Sequence, residues 1–468
     1  MLRFMLILGI FLASLGTAAA ATFYVDPING SAEGDGSHQT PWRTFQEVVD
    51  SNLIESETWN TFPWYEATGR VIRNEGAPIK AGDEIILMSG YHGEVLIQAY
   101  LNTDTITVKA GALQTPCFGN INVRASERWR FQGISISPSY APEYTTTRLF
   151  YIETHNWRGP SSYITLEDSN LFSVEDASAW TAQDWLDRAP SAISVSGDYC
   201  EIRNNRLVNI NFGISVSGDH CVVAKNRIIN FSGDAMRGLG DYGLFENNFV
   251  ANAFDVNENH DDGFQSWATD EATGEVKGVV LRGNKFFHDF NHPNPALIST
   301  FQGIGLFDGF YTDWIIENNL VVVNHWHGIS MYGARNCRIQ NNTVADIYDG
   351  RPGPAWIMVT THKDGTGGYG NVVRNNLAHS ISINADSGTP TVDSNLILDD
   401  LEAVIADPYG NDFHLRAGSP AIDAGTNIGL AHTDIEGNPR VIGSIVDLGA
   451  YEYSPLPTKV DQVMFLLY

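Results

Sequence analysis

Through the middle of the chain, apolar and polar residues alternate in runs of three to five, too short for helices and suited to strands with one buried face. The runs come in pairs divided by an Asn. Cys200-Glu-Ile-Arg-Asn-Asn-Arg-Leu-Val208 is followed by Cys221-Val-Val-Ala-Lys-Asn-Arg-Ile-Ile229 and Gly243-Leu-Phe-Glu-Asn-Asn-Phe-Val250. Val279–Phe286, Trp314–Val321, Cys337–Val344 and Val372–Leu377 repeat the pattern. Aligned on this element, the Asn column is Asn170, Asn205, Asn226, Asn248, Asn284, Asn319, Asn342, Asn376 and Asn395. The shortest intervals give a base unit of about 20–23 residues, and the longer ones carry insertions of about a dozen. Such a unit cannot bury its own apolar face, so the units must stack. Asn tolerates left-handed turn geometry, and stacked Asn side chains can hydrogen-bond from one coil to the next. The pattern predicts an all-β fold, a right-handed parallel β-helix. A leucine-rich repeat lacks its Leu scaffold here, and a propeller needs longer repeats.

A second run follows each Asn turn: Gly213-Ile-Ser-Val-Ser-Gly218, Ala235-Met-Arg-Gly-Leu-Gly240, Gly263-Phe-Gln-Ser-Trp-Ala268, Gly303-Ile-Gly-Leu-Phe-Asp308 and Gly328-Ile-Ser-Met-Tyr-Gly333. Strand alternation turns Ile214, Met236, Phe264, Ile304 and Ile329 inward. It turns Ser215, Arg237, Gln265, Gly305 and Ser330 outward in one column, and Ser217, Leu239, Trp267, Phe307 and Tyr332 in a second. The second column predicts an exposed aromatic stripe, a stacking platform for the apolar faces of sugar rings. Just before these strands, Asp234, Asp262, Gln302 and His327 fall in register, with His260, Asp261 and His325 beside them. His362 and Lys363 follow the next strand, Ala355–Thr360, and are expected to close the same groove. Each residue alone is ordinary. Carboxylates, imidazoles, an Arg and aromatics gathered on one face of consecutive coils are a functional-site signature.

Composition narrows the class. The 468 residues carry 55 acidic against 28 basic side chains, a net charge of −27, which disfavours nucleic acid as a partner. Arg3, the apolar run to Leu15 and Ala18-Ala19-Ala20 read as a secretory signal over residues 1–20. The mature chain is then expected to be a monomer that is secreted, periplasmic or at the cell surface, with no transmembrane segment. Four cysteines are too few for a disulfide scaffold. Cys200, Cys221 and Cys337 share a column and read as buried thiols.

The Asn-turn repeat, over residues 80–400, resembles the parallel β-helix of pectate lyases, alginate lyases and polygalacturonases. Ala81-Gly-Asp-Glu-Ile-Ile-Leu-Met-Ser-Gly-Tyr91 is similar to the first coil of the alginate lyase and chondroitinase B family. Phe23–Gly36 with Pro41–Val49 resembles the opening of secreted β-helix enzymes, where a helix caps the solenoid. Asp412–Gly425 and Asp447–Glu452 resemble a C-terminal segment of extracellular β-helix proteins. The expected organisation is a catalytic β-helix over 21–400, an end-capping segment over 401–455 and a tail over 456–468.

The resemblance implies cleavage of a polysaccharide. One chemistry is β-elimination on a uronate polymer. It requires neutralisation of the uronate carboxylate, by Arg237 or by a Ca²⁺ held by Asp234, Asp261 or Asp262. It also requires a base, drawn from His327, His260 and Lys363, and an acid such as Tyr332. Gln265, Trp267, Gln302, Phe307, His325 and His362 are the expected substrate contacts. The other chemistry is hydrolysis, because Asn259-His-Asp-Asp-Gly-Phe264 resembles the Asn-Thr-Asp-Gly turn of polygalacturonases. The Gly-Asp-Asp motif of that family has no counterpart here, nor does the Asp-Pro-His-Glu motif of C5-epimerases. A third reading, a glycan-binding solenoid without catalysis, keeps the aromatic stripe and has no need of the Asp/His/Arg cluster.

Overall fold

A computed structural model describes residues 20–269, 274–348, 352–384 and 390–454; the expected signal segment and most of the tail lie outside the described residues. Among the described residues, three long sheets hold 15, 12 and 11 strands. Successive coils pair in parallel along each sheet, making a parallel β-helix. In the coil from Glu201 to Val216, Glu201–Arg203 lies in the first sheet, Arg206–Ile210 in the second and Ile214–Val216 in the third. The next coil repeats this with Val222–Ala224, Arg227–Phe231 and Met236–Gly238. Alternation explains the core: Ile202, Val223, Phe245, Leu281, Ile316 and Ile339 pair in register and are all buried. Each such side chain contributes about 1.5–3 kcal/mol on burial.

At the turn between the first and second sheets, one residue takes the left-handed conformation and the next builds the ladder. Positive φ falls on Asn204, Lys225, Asn247, Gly283, Asn318, Asn341, Asn375 and Ser394, each immediately before a ladder Asn. The ladder runs from Asn205 through Asn226, Asn248, Asn284, Asn319, Asn342 and Asn376 to Asn395. Each Nδ2 donates to the next Oδ1 at 2.9–3.1 Å. Each also donates to a carbonyl of the first sheet, as Asn284 does to Phe245. Asn170 is not part of it. It opens a second-sheet strand and is exposed, because the register seats Ser169 opposite Asn205, whose Oδ1 accepts the Ser169 N–H.

The thiols of Cys200, Cys221 and Cys337 are free and buried, as the repeat column predicts. The helix Phe45–Asp50 buries Phe45, Val48 and Val49 in the core cluster, beside the first strand of the third sheet, Val95–Gln98. The segment beyond residue 400 runs along the outside of the second sheet. Val404, Ile405, Phe413, Leu448 and Ala450 pack with Ala251, Phe287, Leu320 and Val322, so the segment clamps the side of several coils. Among the described residues no helix is long and apolar enough to cross a membrane.

The insertions gather at one corner. Residues 173–192, 254–261, 288–301, 346–348 and 352–355 all lie between a second-sheet strand and the following third-sheet strand. They pack on one another: Trp185 of the helix Ala182–Arg188 meets Phe254 at 4.3 Å, and Phe254 meets His292 at 4.3 Å. The result is a wall along the third sheet. On its far side the short strands Glu275–Lys277, Phe310–Thr312 and Ala334–Arg335 form an extra three-stranded sheet.

Candidate active site

The third sheet sets the expected residues in register. Ser215, Arg237, Gln265, Gly305 and Ser330 pair on successive strands, and Asp262 pairs with Gln302. At the edge nearest the wall, Asp234 and Asp262 are buried at 2 % and 0 % exposure. Asp234 Oδ2 accepts from Arg237 Nε at 2.6 Å, and its Oδ1 accepts the Asp262 backbone N–H at 3.1 Å. Asp262 Oδ2 meets His260 Nδ1 at 3.0 Å. The His260 ring is 54 % exposed, so its Nε2 edge is turned toward solvent while its other edge is anchored. Arg237 also lies over the rings of Phe212 (3.9 Å) and Trp267 (5.3 Å), which orient its guanidinium on the sheet face.

Beside this pair opens a cleft of about 180 Å³, lined by His260, Asp261, Gln302 and His325 from the expected set. Asp255, Glu258, Ser299 and Thr300 line it too. Those four escape a reading of the repeat because they lie in the insertions, which have no equivalent from coil to coil. Asp255 and Glu258 stand close before the Asn259–Phe264 turn, a signal the sequence does offer, whereas nothing in the sequence marks Ser299 and Thr300. Burial raises Asp261 to about 8, helped by the charges of Asp234 and Asp262, so its carboxyl holds a proton at neutral pH. Burial likewise raises Asp262, while the bond to Asp262 raises His260. His325 and His327 are pushed down to about 4, by burial first, and are neutral there.

His327, two residues beyond His325, is not part of the cleft lining. Its Nδ1 meets Ser330 Oγ at 2.8 Å, its backbone N–H donates to His325 Nδ1, and the two rings stack at 5.0 Å.

Other expectations change. The aromatic stripe is broken, because a bulge sets Trp267 beside Asp308 and leaves Phe307 unmatched. Trp267 attends Arg237, whereas Phe307 packs edge-on to His327 (4.9 Å) and Tyr332 (5.5 Å). Phe307 thus stands between Tyr332 and the imidazoles, and Tyr332 is not joined to the Asp/His group. Lys363 is ion-paired with Asp308, and His362 is buried against Phe310 at 4.4 Å. Both belong to the side of the extra sheet. They do not close the groove at Asp262, because the loop that carries them folds onto that sheet. Gln265 keeps its place, half-buried on the sheet face.

Asp234, Asp261 and Asp262 do not form a calcium cage. A Ca²⁺ ion takes six to eight oxygens, and here Asp234 is committed to Arg237 and a backbone N–H, while Asp262 is committed to His260. Among the described residues no group of three or more His, Cys, Asp or Glu side chains is arranged to hold a metal.

No protein-family model matches the chain, and no curated protein matches its sequence. Solved structures do. XylC in complex with xylose aligns with a TM-score of 0.51 at 10 % identity, covering 92 % of this chain and 98 % of that one. The pectate lyase Pel9A aligns with a TM-score of 0.44 at 16 % identity, covering 94 % and 98 %. An alginate lyase from Paenibacillus sp. str. FPU-7 aligns at 0.39 and 12 %, covering 66 % and 94 %. The likeness is to parallel β-helix, carbohydrate-active proteins, and at these identities it bears on the fold.

Proposed function

We propose that the protein is a polysaccharide lyase that cleaves a uronate-containing glycan by β-elimination. The observation that carries this reading is the pairing of His260 with buried Asp262, next to Arg237 paired with buried Asp234, at one edge of the third sheet. Arg237 offers its remaining N–H groups to the uronate carboxylate, which makes the C5 proton more acidic. His260, held through Nδ1 by Asp262, takes that proton on Nε2. The electron pair forms the C4–C5 double bond as the C4–O bond breaks. Protonated Asp261, on the same cleft, gives its proton to the leaving oxygen. His327 and Lys363, the other expected bases, are engaged with Ser330 and Asp308.

Paired-carboxylate hydrolysis is less well supported. It needs two carboxyl groups free to act on the sugar, whereas Asp234 and Asp262 are already bonded to Arg237 and His260. A substrate of this size is met outside the cytoplasm, so the enzyme is taken to act at the cell surface or beyond. The test is incubation with a panel of acidic polysaccharides, read by ultraviolet absorbance for new unsaturated ends. Absorbance growing with cleavage supports the lyase. Reducing ends without absorbance establish a hydrolase, and binding without either signal establishes a non-catalytic glycan-binding protein.

A further inference from the structure

The outward column of the third sheet extends well beyond the catalytic edge, and its two directions differ. By register it runs Asn122, Tyr151, Ser194, Ser215, Arg237, Gln265 and then Gly305, Ser330. From Asn122 to Gln265 every position is partly open to solvent. Gly305 and Ser330 are buried, although both face outward. The cover is specific. The Phe307 ring lies over Gly305, where a Cβ would come within 2.6 Å of the ring. Ser330 is covered by His327 and by Trp356, whose Nε1 donates to Ser330 Oγ at 3.0 Å. Trp356 stacks in turn on Trp326, whose Nε1 donates to the Gly353 carbonyl at 3.0 Å. The wall is thus anchored to the insertion that follows.

Toward the N-terminal coils the floor is low and polar. Ser194 and Ser215 leave room above the sheet, and three coil spacings span about 14 Å from Arg237 to Tyr151. At that distance Arg148 lies over the Tyr151 ring at 4.9 Å. Arg148 is exposed and makes no ion pair among the described residues.

We propose that the groove is blind, so the enzyme acts from a chain end. A glycan lies along Tyr151, Ser194 and Ser215, and its terminal sugar stops against Phe307, His327 and Trp356. Cleavage then releases a short product of fixed size. Arg148 binds a carboxylate of the acidic glycan about three coils from the bond that breaks. This rests on the polysaccharide-cleaving function proposed above and adds the direction and mode of attack.

The test follows chain length and viscosity while the full-length protein degrades a long polyuronate. The expected result is one small product from the first minutes, with viscosity falling slowly. A broad ladder of sizes with a rapid loss of viscosity overturns the blind groove and leaves the lyase reading intact. Cleavage of no polymer in the panel removes both. Phe307→Ala combined with Trp356→Ala, checked for folding by its thermal transition, is expected to yield mixed product lengths. A well-folded double variant that still releases only the small product overturns the wall. Arg148→Ala, at an exposed position, is expected to raise KM for long chains about two- to five-fold relative to a trimer, the share of one exposed charge contact. An unchanged ratio removes Arg148 from the groove.

Discussion

The turn between the first and second sheets and the entry to the third sheet are built from the same repeat and solve opposite problems. At the first, every ladder Asn side chain is paired and the geometry barely varies over eight coils. At the second, a bulge interrupts the strand between His327 and Ile329, and another lies at the exit of the strand Asp262–Trp267, at Ser266/Trp267. Asp262 Oδ1 and Gln302 Oε1 there, and Ser266 Oγ farther along the strand, are buried without a hydrogen-bond partner. Unsatisfied buried polar groups cost stability. The lesson is a division of labour: a fully satisfied ladder stabilises the solenoid, and one edge tolerates strain and unpaired groups suited to chemistry.

The sharpest way to break this comparison is at the paired charges. Arg237→Ala is expected to abolish turnover and also to destabilise the fold by about 3–5 kcal/mol, because Asp234 is left as a buried, unpaired charge. The double variant Asp234→Asn/Arg237→Ala should recover much of the melting temperature and none of the activity. His260→Ala removes the base and should lower kcat by about 10²- to 10⁴-fold. Its melting temperature should fall as well, because wholly buried Asp262 loses the partner of its Oδ2. Normal turnover in the His260 variant would separate this edge from catalysis.

In the ladder the signs reverse. Asn284→Ala strips the partners from Asn248, Asn319 and the Phe245 carbonyl at once. An expected loss of about 3 kcal/mol or more follows from several buried groups left unpaired, with KM unchanged in the folded enzyme. Denaturant unfolding and steady-state kinetics read both.

The pH dependence separates the regions further. The proposed base works above the raised pKa of His260 and the proposed acid below the value of about 8 for Asp261, so the rate profile should be bell-shaped with its maximum between them. For stability, the folded pKa of Asp261 lies above its unfolded value, so its contribution is full in acid and is lost as pH rises toward about 8. Asp261→Asn should flatten that loss and erase the alkaline limb of the rate profile. The smallest effect is expected at Gln302→Met. Its Oε1 has no partner to lose, so stability should shift by less than about 1.5 kcal/mol, as for other volume-conserving exchanges.

What the sequence by itself determined was everything that repeats. The Asn column, the inward Ile214–Met236–Phe264–Ile304–Ile329 row and the thiol column all follow from a spacing that one solenoid geometry satisfies. A slip of one residue would turn each apolar row to solvent. Even there the alignment erred at Asn170, where two neighbouring residues compete for one ladder position and only pairing with the next coil selects Ser169. What only the tertiary structure decided lies in the irregular parts. The Ser266/Trp267 bulge split the expected aromatic stripe, the loop of His362 and Lys363 folded onto the extra sheet, and the insertions supplied Asp255, Glu258, Ser299 and Thr300. Insertions and bulges have no period, so nothing local fixes where they fold; their place is set by the wall they build against one another. His260 is legible as a candidate from its turn, but the role proposed for it depends on Asp262 being sealed beneath it, and that burial is produced by neighbouring coils.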